Sequence, residues 1–294
     1  MNPSDQTPSA AAAPGAAAAT LRFLGTGTSM GVPTLGCRCA VCLSTDPRDR
    51  RLRPSALIRW SDAMSDTPGI DSRQRNVLID TGPDFREQAL ACDLRTLDAV
   101  LYTHSHADHI LGLDDLRPLS FLHFDTHHQP IPLYVTPETR AVLEHVYSYT
   151  FAPDSSYSHR ARVQIHPIGD GVTLGCLRFT PIPVLHGTLP ILGYRFGTAA
   201  YLTDVSTIPE SSFALLEGVE TLVLSALRHK PHPSHATLDQ AVAWATRIGA
   251  RHTWFTHISH DLGHAQTNQS LPDGMALAYD GLTLSLEPSR TSAE

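Results

Sequence analysis

Residues 104–109 read His-Ser-His-Ala-Asp-His, directly after the largely apolar run DAVLYT at 98–103. Three histidines and an aspartate within six residues cannot share one face of a strand or one stripe of a helix, whose side chains repeat every 2.0 or 3.6 residues. The segment must wrap a turn at the end of a buried strand, with its side chains converging. Converging neutral imidazole and carboxylate suit zinc, iron or manganese rather than copper(I). Composition points the same way: 17 of 294 residues are histidine, while only 17% are charged.

The rest of the chain supplies a scaffold. Apolar residues make up 41%, enough for a sizeable core, and no run nears the roughly 18 apolar residues of a membrane span. The net charge of −7, from 22 Lys plus Arg against 29 Asp plus Glu, argues against a globally basic nucleic-acid binder. Residues 1–19 are rich in Ala and Pro and lack a basic start or a Leu/Val/Ile core. They read as a disordered tail rather than a secretion signal, with the cytoplasm as the expected location. A single domain is expected over 20–288, followed by a second tail at 289–294.

Within that domain the pattern alternates between strands and helices. LRFLG (21–25), NVLID (76–80), DAVLYT (98–103), IPLYV (131–135), TLVLSA (221–226) and RHTWFT (251–256) read as strands, with paired strands at 193–196 and 199–204. Helices are expected over 85–92, with Asp84 near its N-cap, and from Thr136-Pro137 to about 147. Another should run from the capping box at 237–240 to Gly249. LAYDGLTLSL (277–286) carries the Asp-Gly signal of a hairpin. Polar residues cluster where strands end, the usual place for a site in an α/β protein.

His104-x-His106-x-Asp108-His109 resembles the signature of the metallo-β-lactamase fold superfamily, and the likeness continues in order along the chain. PVLHG supplies His186, YLTDVS supplies Asp204 and FTHISH supplies His257. The resemblance implies an αββα sandwich, two mixed β-sheets flanked by helices. It implies one divalent metal held by His104, His106 and His186, and a second held by Asp108, His109 and His257, with Asp204 between them. Asp80 in NVLIDTGPD matches the family's early strand-end aspartate, expected to orient ligands. Two such cations, zinc or manganese with iron as a third choice, share a hydroxide that attacks a phosphoryl or carbonyl centre.

Cys37-x-Cys39-x-x-Cys42 offers three more donors at zinc-ligand spacing. No fourth cysteine is near, so a histidine should complete the set; Cys92 and Cys176 read as ordinary buried thiols. GTGTSMGVPTLGCRCAVC (25–42), followed far downstream by THISH (256–260), resembles the PhnP-type phosphodiesterases, which cleave cyclic ribosyl phosphates. That likeness implies a structural zinc on the three cysteines and His260, with His264 as the other candidate. It also implies a proton-donating histidine 22 residues before His257, which falls on His235; His232 and His229 are its neighbours. His235, Asp108 and Asp80 thus form the implied catalytic set. The GTGTS turn (25–29) could cradle a phosphate through its N–H groups and Ser29, or simply turn.

The expected function is a metal-dependent phosphodiesterase acting on a small cyclic ribosyl or nucleotide-like phosphate. The alternatives are a tRNase Z-like nuclease, a thioester or lactone hydrolase on the same fold, and a metal-binding protein without catalysis. No long basic arm for gripping tRNA is evident, so nucleic acid is disfavoured as a partner but stays among the readings. No membrane partner is expected, and a homodimer is allowed. Residues 61–75 and 110–161 match no part of the family pattern and are where specificity elements would lie.

Overall fold

The computed structural model describes residues 19–62, 74–153 and 159–286. The two predicted tails lie outside the described residues, apart from Ala19, which already belongs to the first strand. Most of residues 61–75 and a few of residues 110–161 lie outside them too.

Two sheets of seven strands form the centre of the fold. The first runs, edge to edge, β14 (Thr283–Leu286), β1 (Ala19–Gly25), β2 (Ser55–Ser61), β3 (Gln74–Ile79), β4 (Ala99–Leu101), β5 (Ile131–Val135), β6 (Val163–Pro167). The second runs β13 (Met275–Leu277), β12 (His252–Thr256), β11 (Thr221–Ser225), β10 (Ala199–Leu202), β9 (Leu189–Phe196), β8 (Leu177–His186), β7 (Val172–Leu174). Both are mixed in the same way. β14-β1-β2-β3 and β7-β8-β9-β10 pair antiparallel. β3-β4-β5-β6 and β10-β11-β12-β13 pair parallel.

Leu21, Phe23, Ile58 and Val77 of the first sheet meet Phe179, Tyr194, Phe196 and Val223 of the second in the central core. The outer face of the first sheet packs Leu57, Leu78, Val100 and Leu133 against Phe85, Leu116 and Leu143 of the covering helical segments. The outer face of the second packs Leu222, Leu224 and Phe255 against Leu238, Ala241 and Ala245 of the helix Leu238–Ile248. Central strands buried on both faces explain why NVLI and TLVLS read as unbroken apolar runs rather than alternating ones. This is the expected αββα sandwich.

The predicted helices stand at 85–91, 137–146 and 238–248, the last with its full capping box. Asp84 sits at an N-cap position but does not cap; its carboxylate accepts from Arg53 N and Arg53 Nη1, both at 2.8 Å. The predicted hairpin at 277–286 is not formed. β13 adds to the second sheet beside β12, and β14 adds to the first beside β1. The Asp-Gly turn is a crossing between sheets, tied down by Asp280, whose carboxylate accepts from Thr26 Oγ1 and Leu52 N, both at 2.7 Å. Burial pushes that carboxyl up to about 7 despite the two donors. Alternation identified two strands correctly but could not name their partners.

Candidate metal centres

The donors predicted from the sequence converge at strand ends of both sheets. β4 delivers His104, and the short helix Ala107–Ile110 turns the motif so that Asp108 and His109 face inward while His106 stays exposed. β8 ends at His186, β10 leads into Asp204 and β12 leads into His257. Asp80, Asp204 and His257 all have φ between 54° and 62°, a left-handed conformation costly for residues with a Cβ and concentrated at functional sites. Close approach matters as well. A methyl group on Gly82 would collide with the carbonyl of Asp108, so the TGPD turn can pass beside the motif only with glycine there.

The side chains form two groups whose donor atoms lie within 4.8 Å of one another: His104, His106 and His186, and Asp108, His109, Asp204 and His257. Asp204 also shares a group with His186 and His235, and so stands between the two sets. His109 Nε2 is 3.2 Å from Asp204 Oδ2 and 3.3 Å from Asp108 Oδ2, and His257 Nε2 is 3.0 Å from Asp204 Oδ1.

The far nitrogens of His104, His109 and His186 are held by other partners, whereas that of His257 has none among the described residues. His109 Nδ1 donates to Asp80 Oδ2 at 2.8 Å. Thr103 Oγ1 donates to the same oxygen at 2.8 Å, so its lone pairs are left to accept from His104 Nδ1 at 2.9 Å. His186 Nδ1 donates to the carbonyl of Ser234 at 2.7 Å. Each bond fixes a tautomer and turns Nε2 toward the centre. His104 Nε2, His109 Nε2 and His257 Nε2 are buried with no hydrogen-bond partner. Orphaned buried nitrogens, two of them (on His109 and His257) facing carboxylates at contact distance without hydrogen-bond alignment, fit a pair of divalent cations.

Electrostatics agree with that fit. Burial alone would lower His109 and His257, but facing carboxylates outweigh it. Asp204, Asp108 and Asp80 hold His109 well above the usual imidazole range, and Asp204 and Asp108 bring His257 up to about 9. In the reverse direction, burial would raise Asp108 and Asp204, yet His109 and His257 hold both well below the usual carboxylate range. His104, buried and beside His109, is pushed down, as is His106 beside His186. Protons on His109 and His257 therefore occupy positions that a cation would take.

His235 lies at the edge of this set. Its ring is 4.5 Å from that of His186 and stacked 4.8 Å from that of His257, with Nδ1 3.9 Å from Asp204 Oδ1. Burial and His257 push it down to about 3, so the ring is neutral at neutral pH until something anionic arrives. His232 is 5.0 Å beyond it, and His229 is exposed. Ser29 is exposed, while Gly25 and Gly27 of the same turn pack against Arg51, Leu52 and Arg53, where a methyl group on Gly25 would strike the Arg53 carbonyl. The two glycines of that turn serve close packing.

The cysteine group also assembles. Cys37, Cys39, Cys42 and His260 lie within 4.8 Å of one another, with His260 Nδ1 3.4 Å from Cys42 Sγ and 3.8 Å from Cys39 Sγ. His264 is not part of it; its ring packs edge-on to Tyr279, and its N–H donates to Asp49. Cys92 is buried as expected, but Cys176 is exposed, its N–H donating to Asp62 on the loop after β2. The sequence reading missed Thr103 and Arg51, whose contacts depend on residues far away in the chain.

This fold with these donors defines a metal-binding hydrolase of the metallo-β-lactamase type. Residues 75–258 match the Beta-lactamase superfamily domain. A crystal structure of a new diphosphatase from the PhnP family superposes with a TM-score of 0.81 at 51% identity, covering 92% of this chain and 99% of that one. The chain therefore belongs to the metallo-β-lactamase superfamily and, within it, to the PhnP family. It is also 35% identical over 264 residues to an octanoyltransferase of Porphyromonas gingivalis, covering 88% of this chain but 50% of that protein, so it spans about half its length. A ribonuclease Z of Mycobacterium bovis is 26% identical over 224 residues, 65% of this chain and 79% of the relative. No helix among the described residues is long and apolar enough to cross a membrane.

Proposed function

We propose that this chain is a metal-dependent phosphodiesterase of small cyclic ribosyl or nucleotide-like phosphates, with a structural zinc on the cysteine group. Two divalent metals, when bound, supply a water-derived nucleophile near neutral pH and neutralise charge on the phosphoryl oxygens. Their holders would be His104, His106 and His186 on one side and Asp108, His109 and His257 on the other, with Asp204 shared. The observation that carries the phosphodiester reading is His235, an imidazole outside the two main donor groups whose buried Nδ1 has no hydrogen-bond partner. Hydrolysis breaks a P–O ester bond, and the departing alkoxide needs a proton. A phosphoryl group entering beside His235 brings the negative charge that favours its imidazolium form, so the proton arrives with the substrate.

A second reading is favoured by the PhnP-family diphosphatase, 51% identical. Its substrate class would lose a phosphate, a leaving group that needs no proton. His235→Ala separates the two. On a cyclic ribosyl phosphate the variant should lose about 10²–10⁴-fold in turnover while keeping its metal content; on a dinucleoside diphosphate it should lose little. Pre-tRNA and an acyl thioester complete the panel. Turnover of the diphosphate alone, or of pre-tRNA alone, would overturn the proposal, as would loss of metal in the variant.

A further inference from the structure

Arg51 has a side chain with no exposure to solvent. Its guanidinium donates from Nη1 to Ser259 O at 2.8 Å, and from Nη2 to Leu262 O at 2.7 Å and to Asp49 Oδ1 at 3.0 Å. Asp49 Oδ1 also accepts from His264 N at 2.8 Å. Burying a guanidinium is expensive, and apolar residues of like volume usually stabilise a fold as well or better. The charge must therefore be kept for what it arranges.

Arg51 stands at the neck of the cysteine loop, where its N–H donates to Val32 O at 2.7 Å and its carbonyl accepts from Val32 N at 2.9 Å. The two carbonyls it grips lie on either side of His260, and the first of them is two residues after His257. The turn 257–262 carries one donor of each metal group, and two separate ties bind it to the loop 32–51. One is the set of thiols facing His260, weak sulfur contacts at 3.4 and 3.8 Å that a metal would tighten into a closed link. The other is Arg51, which needs none.

We propose that Arg51 is a positioning residue, a metal-independent clamp that, beside the backbone bonds of Ile258 N to Thr26 O and Ser259 N to Leu227 O, sets His257 and His260 together so that each metal group is preformed whether or not the other is loaded. This rests on the proposed metal occupancy of both groups. The physical argument is pre-organisation: a turn already ordered gives a first ligand nothing to order for a second, so the two sites should show little coupling. Without the clamp, loading the cysteine group would order the turn and assist the other group, and coupling would appear.

Cobalt(II) titration of chelator-stripped protein tests this, because thiolate-to-cobalt charge transfer reports the cysteine group, and with that group empty or filled with zinc the d–d bands report the nitrogen and oxygen donors. Wild type and Cys39→Ser should bind cobalt at the dinuclear group with the same affinity, within about twofold. Arg51→Met in the Cys39→Ser background should weaken that binding by about 10–100-fold. With the cysteines intact and loaded, Arg51→Met should recover most of the loss, and Arg51→Lys should fall between. The proposal is overturned if Arg51→Met leaves dinuclear affinity and d–d bands unchanged with the cysteine group empty. It is equally overturned if Cys39→Ser alone causes the whole loss. Should Arg51→Met fail to fold, Asp49→Asn, which loosens the clamp while keeping the arginine, gives the same readout on a smaller scale. Failure of wild type to bind cobalt at the histidines would sink the metal assignment instead, a distinguishable result.

Discussion

The two donor groups are made by different means. The histidine–aspartate set draws seven donors from positions 104 to 257, from strand ends in both sheets, and all but His106 are buried. It exists only when the whole sandwich exists. The cysteine set takes three of its four donors from the six residues 37–42, and Cys37 and Cys39 are half-buried. Backbone N–H groups of Thr34 and Cys42 point at Cys42 Sγ and Cys39 Sγ at 3.4 Å, support that a short loop can supply for itself. One group is placed by the fold, and the other places its own loop. A catalytic centre must hold its geometry while ligands change, which the first construction secures; a clip needs only to close.

The comparison breaks first at Asp204, the residue shared between the histidine groups. Asp204→Asn keeps the shape but removes the charge that faces both His109 and His257. Both metals of that centre should be lost from purified protein, with activity down at least about 10³-fold, while the cysteine group keeps its ion. Metal analysis showing all three ions retained would make the two groups alike in robustness. Next in size is pH. The facing carboxylates push His257 up to about 9 and hold His109 well above the usual imidazole range, so at neutral pH a metal must displace protons to enter. Affinity of stripped protein for zinc at this centre should rise with pH up to about 9, by about tenfold per unit for each proton displaced. Calorimetry in buffers of different ionisation enthalpy counts those protons, and a flat profile from pH 7 to 9 would contradict the charge assignment.

How much of this was legible depended on how local each signal was. His104, His106, Asp108 and His109 are contiguous, and their spacing excludes a single strand or helix face. His186, Asp204 and His257 are scattered along the chain, and only the resemblance to the metallo-β-lactamase signature, with its ligands in that order at strand ends, pointed to them. Thr103 escaped notice because its role needs Asp80 on one side and His104 on the other. Arg51 looks like any member of the run DPRDRRLR until the turn at 257–262 comes to rest on it. The sheet-crossing at Asp280 was misread for the complementary reason. Local alternation is a property of one strand, and pairing is a property of two.

Removing the clip should cost less than removing Asp204, the carboxylate common to two donor groups. Cys39→Ser should drop one metal per chain and about 3 kcal/mol of stability, the usual scale for losing one long-range cross-link. At this chain size that lowers Tm by roughly 5–10 °C. Activity per folded molecule should stay within about threefold, because the carbonyls of Ser259 and Leu262 remain held by Arg51. A collapse of turnover at unchanged Tm would mean that the clip, too, acts on the chemistry.

The smallest expected effect separates the two halves of the histidine–aspartate centre itself. Thr103→Val replaces the hydroxyl with a methyl of like shape and leaves Thr103 N still donating to Asp80 Oδ1 at 2.8 Å. His104 Nδ1 then loses its acceptor, while His109 Nδ1 keeps its own bond to Asp80. The ring of His104 is freed to choose the wrong tautomer, so the group with His106 and His186 should bind its metal about tenfold more weakly. The group with Asp108, Asp204 and His257 should be unaffected. Chelator competition that resolves two dissociation steps reads this directly: only one step should move. If both move together, the hydroxyl serves the strand end as a whole and the two metals share one support rather than having one each.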